Sequence, residues 1–155
     1  MSFDYISKSL DDTKKIALNL AKNLNAGDVI LFYGDLGAGK TTFTKSLAEG
    51  LEIGDDVHSP TFTLIHEHKG KLNLYHIDLY RLDTFEEILS IGFEEYIYSD
   101  GVTVVEWSEK LGDNVPKGVI KIEIESLGDN ERKFKFSTDI NAYNKMLKEV
   151  VTCIS

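Results

Sequence analysis

A glycine-rich stretch set between an apolar run and a helical pattern dictates most of what this chain can become. Gly34, Asp35, Leu36, Gly37, Ala38, Gly39, Lys40, Thr41 and Thr42 follow the P-loop pattern of a glycine, four residues and Gly-Lys-Thr. Just before it, Val29-Ile30-Leu31-Phe32-Tyr33 is an unbroken apolar run, as expected of a strand buried on both faces. Just after it, residues 40–51 place Phe43, Leu47 and Leu51 at helical spacing. An ordinary glycine turn is the bland alternative, and the strand–loop–helix order argues against it.

Each part of the motif has a physical use. Glycine admits backbone angles and close approaches that a Cβ blocks. The backbone amides from Asp35, Leu36, Gly37, Ala38 and Gly39 to Lys40, Thr41 and Thr42 are then expected to cradle phosphate oxygens. Lys40 is expected to reach the β- and γ-phosphates, and the Thr41 hydroxyl to hold Mg²⁺. The helix N-terminus adds partial positive charge toward the same anion. A nucleoside triphosphate site is the expectation.

The 155 residues fit one domain with a core that needs no staples. The single cysteine, Cys153, precludes an intrachain disulfide, which suits a reducing cytosol. The N-terminal residues have neither the basic nor the apolar region of a signal peptide. No apolar run approaches the length needed to span a bilayer. A cytoplasmic protein without a membrane contact is therefore expected. With 17 basic and 26 acidic residues the net charge is −9, unsuited to a stand-alone nucleic-acid binder. A protein partner that carries nucleic acid remains compatible with that charge.

The rest of the chain reads as alternating elements. A helix is expected over 10–24, with Asp11 or Asp12 as its cap. Strands are expected over 62–68 and 72–77, joined as a hairpin through Lys69-Gly70-Lys71. A helix over 83–91, capped by Asp83 or Thr84, precedes a buried strand over 102–105 and a helical turn over 107–111. A second hairpin (119–127 and 133–137) and a helix over 139–150 complete the chain. The expected fold is α/β, a mixed parallel and antiparallel sheet with helices on it.

Two acidic residues follow strands: Asp78 after 72–77 and Glu106 after 102–105. Ligands of open α/β sheets bind beyond the carboxyl ends of parallel strands. If both strands run parallel to 29–33, Asp78 suits the Mg²⁺-binding aspartate, and Glu106 suits a metal-bound water or the nucleophile. Ser59-Pro60-Thr61 suits a switch segment whose Thr61 hydroxyl senses the γ-phosphate or metal, or else a proline-stiffened turn. His66 and His68 share a strand face, but two histidines make a weak metal signal. They, His58 and His76 read as structural or surface residues. No Asn-Lys-X-Asp base-reading motif is present, which leaves adenine as the default base.

Together, Gly34–Thr42, Ser59-Pro60-Thr61-Phe62-Thr63-Leu64, His76-Ile77-Asp78-Leu79-Tyr80-Arg81-Leu82 and Glu106-Trp107 closely resemble the TsaE (YjeE) family, in family order. These are small bacterial ATPases of the tRNA threonylcarbamoyladenosine pathway. The resemblance implies a P-loop NTPase-like three-layer fold and an ATP/Mg²⁺ site. It also implies a role beside the TsaB–TsaD pair, which transfers the threonylcarbamoyl group to an adenosine of tRNAs reading codons that begin with A. In that family ATP hydrolysis drives or resets the partner complex, and tRNA is met only through it. By motif, Lys40 contacts phosphates, Thr41 and Asp78 serve Mg²⁺, Glu106 serves metal or catalysis, and Ser59 to Thr61 is switch-like. Ser108 stands where many members have proline. Two rival functions are a small-molecule or nucleoside kinase and a non-hydrolysing ATP-binding module. Such kinases commonly clamp phosphate with lid arginines, and only Arg81 and Arg132 exist here.

Overall fold

In the computed structural model, residues 2–34, 39–54 and 64–152 are described. Asp35, Leu36, Gly37, Ala38, His58, the Ser59–Thr61 segment and Cys153 lie outside them. The elements are β1 (Ser2–Ser7), α1 (Leu10–Ala21), β2 (Val29–Tyr33), α2 (Lys40–Gly50), β3 (Ile65–His68), β4 (Leu74–Asp78), α3 (Phe85–Ser90), α4 (Phe93–Ile97), β5 (Val102–Glu106), a 3₁₀ turn (Ser108–Leu111), β6 (Ile120–Ser126), β7 (Arg132–Thr138) and α5 (Asn141–Thr152).

Among the described residues the strands form one seven-stranded sheet in the order β1-β7-β6-β2-β5-β4-β3. The central strands β6, β2, β5 and β4 run parallel. Antiparallel pairs flank them, β1–β7 and β7–β6 on one side and β4–β3 on the other. The mixed sheet and both hairpins follow the sequence reading. Strand β2 occupies the five positions expected, since a strand buried on both faces leaves an uninterrupted apolar signature.

Alternation along β2 explains the layers. Ile30 and Phe32 point into a core shared with Ile16 and Leu20 of α1, Phe43 and Leu47 of α2, and Leu147 of α5. Val29 and Leu31 point the other way, toward Ile88 of α3, Phe93 and Ile97 of α4, and Leu111. The helices thus cover both faces of the sheet. Phe43 lies edge-on to Phe32 at 5.4 Å and against Phe134 at 5.3 Å, fixing α2 over the sheet's middle.

Several boundaries moved. Helix α1 stops at Ala21 and is capped by Ser9, whose hydroxyl accepts from Asp12 N at 3.1 Å. Asp12 instead turns its carboxylate back to the Lys8 amide, so neither Asp11 nor Asp12 is the cap. Thr84 caps α3, accepting from Glu87 N at 3.2 Å. β1 and α4 are additions to the sequence reading. Among the described residues, no helix is long and apolar enough to cross a membrane.

Helix α2 is held against α1 at a glycine. A Cβ built on Gly50 would lie 2.5 Å from Ala21 Cβ and 3.4 Å from Leu18 Cα. Alanine ordinarily favours a helix by about 1 kcal/mol over glycine. At Gly50 that gain is outweighed by overpacking of about 1–3 kcal/mol. Gly50→Ala is therefore expected to lower the chemical-denaturation stability, and an equal or higher midpoint would contradict this packing.

Candidate functional site

Three parallel strands end side by side at one edge of the sheet. β2 leads into Gly34, β4 ends on Asp78, and β5 ends on Glu106. Asp78 and Glu106 are register partners, so their side chains leave the same face about 4.8 Å apart at the backbone. The condition placed on both carboxylates, parallel strands, is met. Both are nearly fully buried, at 2% and 3% exposure. The chain beyond them is tied down, with Leu79 N donating to Glu106 O at 3.1 Å and Tyr80 N to the Asp78 carboxylate at 2.8 Å.

Helix α2 points its N-terminus at this edge. Its cap residue, Gly39, has φ 107°, a left-handed conformation that disfavours any residue with a Cβ. No side chain caps the helix, and the first-turn amides of a helix have no acceptor within it. Thr41, in that first turn, directs its hydroxyl to Glu106 Oε1 at 3.4 Å. Lys40 is 5% exposed, and its Nζ donates to Gly34 O at 2.8 Å and lies 3.7 Å from the centre of the Trp107 ring. An ammonium over an indole face is held by the ring quadrupole.

Trp107 follows Glu106 at φ 60°, ψ 42°, a conformation that costs a residue with a side chain about 1–3 kcal/mol. The turn redirects the chain so that the indole covers Lys40 and meets Tyr80 at 4.9 Å. Ser108 is buried, and its hydroxyl donates to Val105 O at 3.1 Å, closing the turn. One residue on, Glu109 accepts the Gly34 amide at 2.9 Å. Burial first, and then Glu109 and Glu123, raise the Tyr33 phenol above its ordinary range, so it stays neutral beside them.

Of the sequence candidates, the described structure gathers Gly39, Lys40, Thr41, Asp78 and Glu106. Thr42 is exposed on the outer side of α2. There it borders a cavity also lined by Leu10, Thr13, Gly39, Asp129, Asn130, Arg132 and Phe134. Asp35, Leu36, Gly37, Ala38 and Thr61 lie outside the described residues. Sequence reasoning missed this cavity, and it read His76 as structural or surface without placing it beside Glu106. His76 is fully buried, and its Nε2 meets Glu106 Oε2, so it belongs to the site. His66 and His68 pack ring against ring at 5.9 Å. Among the described residues, no group of three or more His, Cys, Asp or Glu gathers around a metal position. Two carboxylates and a hydroxyl beside a helix N-terminus would suit the modest protein share typical of Mg²⁺ shells, which keep waters and phosphate oxygens.

Comparison with known proteins places this geometry in a family. Residues 7–134 match the family described as "Threonylcarbamoyl adenosine biosynthesis protein TsaE". The chain is 43% identical over 141 residues to the tRNA threonylcarbamoyladenosine biosynthesis protein TsaE of Bacillus subtilis, covering 90% of this chain and 88% of that protein. Its Aquifex aeolicus counterpart is 42% identical over 137 residues, with 85% and 93% covered. The crystal structure of Bacillus subtilis YdiB superposes with a TM-score of 0.82 at 38% identity, covering 97% of this chain and 94% of that one. The family match over most of the chain, the sequence identities and the structural superposition agree: the chain belongs to the TsaE family.

Proposed function

We propose that this chain is a single P-loop ATPase domain of tRNA threonylcarbamoyladenosine biosynthesis, which binds and hydrolyses ATP with Mg²⁺ to drive or reset a TsaB–TsaD transfer complex. The observation that supports it best is the meeting of Thr41, on an uncapped helix N-terminus, with Glu106, one of two buried carboxylates at adjacent strand ends. Two buried carboxylates side by side make a strongly electronegative strand edge, which suits the approach of a divalent cation such as Mg²⁺.

In this reading the amides from Asp35 to Thr42 and the Lys40 ammonium bind the phosphates. Thr41 and Asp78 hold Mg²⁺, and Thr61 senses the γ-phosphate. The ion neutralises charge on the phosphates when bound. Glu106 orients and deprotonates the attacking water, and the Trp107 indole shields Lys40 from solvent. The parked position of Lys40, on Gly34 O and the indole, keeps its charge beside the cradle. Phosphate release measured with and without TsaB–TsaD tests the reading, and release that never exceeds a Lys40→Ala blank would refute it.

The base is proposed to rest on the rim of the cavity beside Thr42, whose volume of about 50 Å³ is too small to enclose a purine. Leu10 is 72% exposed there, an apolar surface suited to a purine face, and the Arg132 guanidinium borders the same space. Leu10→Asp is expected to weaken ATP binding about 10-fold, the equivalent of about 1.4 kcal/mol, and to leave inorganic tripolyphosphate binding unchanged. Calorimetry with both ligands checks this; an equal loss for both would remove the base from the cavity.

A further inference from the structure

His76 has no role in the reading above, yet it occupies an expensive position. Its ring is fully buried on β4 and projects from the same sheet face as Asp78, two residues on. Across the sheet its register partner on β5 is Val104, which packs in the apolar core with Leu74 and Val102. An aliphatic side chain would suit such surroundings, whereas a buried imidazole must be hydrogen-bonded to be tolerated. The ring makes that bond through one nitrogen. Nε2 meets Glu106 Oε2, whereas Nδ1 is buried without a hydrogen-bond partner among the described residues.

The tautomer follows from the partner. Facing an ionised carboxylate, which only accepts, Nε2 must carry a proton, and in a neutral ring Nδ1 is then a bare acceptor. A proton on Nδ1 would instead set the Nε2 lone pair against the carboxylate oxygen and bury an N–H with nothing to receive it. The bond therefore assigns both oxygens of Glu106. Oε2 belongs to His76, and Oε1 is left facing the Thr41 hydroxyl at the first turn of α2. A glutamate has several rotatable bonds, and a catalytic carboxylate must be held near its productive geometry by a group that is itself fixed. Packing on β4 fixes His76, and a rigid strand carries it.

We propose that His76 is a positioning residue that holds Glu106 through Nε2–H, so that Oε1 faces the phosphate end of the site. The proposal rests on the ATPase reading for its kinetic consequence, but not for the hydrogen bond itself. His76 acts through Glu106 and touches neither phosphate nor metal.

The test uses the full chain in the phosphate-release assay, with Lys40→Ala as the blank. The amide nitrogen of His76→Gln falls near the place of Nε2, whereas that of His76→Asn falls near Nδ1. His76→Gln is expected to keep kcat within about 3-fold, while His76→Asn lowers it about 10²-fold, the scale of a misplaced catalytic group. ATP affinity by calorimetry should stay within about 2-fold in both variants, a split that general loosening of the fold would not produce. Normal turnover by His76→Asn, or equal loss in both variants, would overturn the proposal. The ¹⁵N spectrum of the wild-type imidazoles provides an arm that needs no variant. An Nε2–H tautomer for His76 supports the assignment, and an Nδ1–H tautomer overturns it. Wild-type release no greater than the blank would refute the ATPase reading, and the tautomer then decides the contact by itself.

Discussion

Glu106→Gln is expected to bind ATP with wild-type affinity and to hydrolyse it about 10²- to 10⁴-fold more slowly, the range contributed by a positioned general base. Glu106 sits at the end of β5 with 3% exposure, between His76 on one oxygen and the Thr41 hydroxyl on the other. Gln keeps the shape and an acceptor for His76 Nε2–H, so the fold and the phosphate cradle should persist. What disappears is the negative charge that takes a proton from water. Single-turnover phosphate release beside a calorimetric titration separates the two effects. A matching fall in affinity and rate would mean that Glu106 serves chiefly to hold the metal and nucleotide.

Lys40→Ala is expected to lose binding as well as turnover, with affinity for ATP lowered about 10- to 10²-fold. Charge-assisted hydrogen bonds to phosphate contribute about 1.5–3 kcal/mol each, and each 1.4 kcal/mol is a factor of ten. Lys40 is already pre-placed beside the cradle by Gly34 O and the Trp107 ring, so little ordering cost offsets that gain. The same placement predicts a signal. Removing the ammonium 3.7 Å from the centre of the only indole should shift Trp107 emission. Affinity equal to wild type in Lys40→Ala would remove the ammonium from the phosphate site.

The parts of the fold that the sequence made legible are those whose signal is local. The apolar run 29–33 could only be a strand buried on both faces, and it is. Asp78 and Glu106 were found because each follows an expected strand, and parallel pairing then put them side by side. The missed parts depend on partners far along the chain. In β1, Tyr5 and Ser7 face inward while Ile6 is 41% exposed. Its polarity therefore does not alternate cleanly, and pairing with β7 is what makes it a strand. Helix α4 spans five residues, too short for a periodicity to stand out. Its start depends on Gly92 at φ 85°.

The candidate site divides in the same way. Lys40 and Thr41 are given by the motif itself. His76 looked structural because nothing in a strand's own sequence names the residue beside it on the next strand. The Leu10–Arg132 cavity was invisible for a related reason. Ser7 pairs with Arg132 only through β1–β7, and that pairing carries the start of α1 up to the P-loop helix.

The central claim is that the uncapped start of α2, with Lys40 and the carboxylate pair, receives a nucleoside triphosphate. Its most direct test is calorimetry of ATP into the wild-type chain at millimolar Mg²⁺. A saturable heat at one site, weakened by Lys40→Ala and by Leu10→Asp, is the expected result. Absence of binding heat from ATP, GTP and their diphosphates would contradict it.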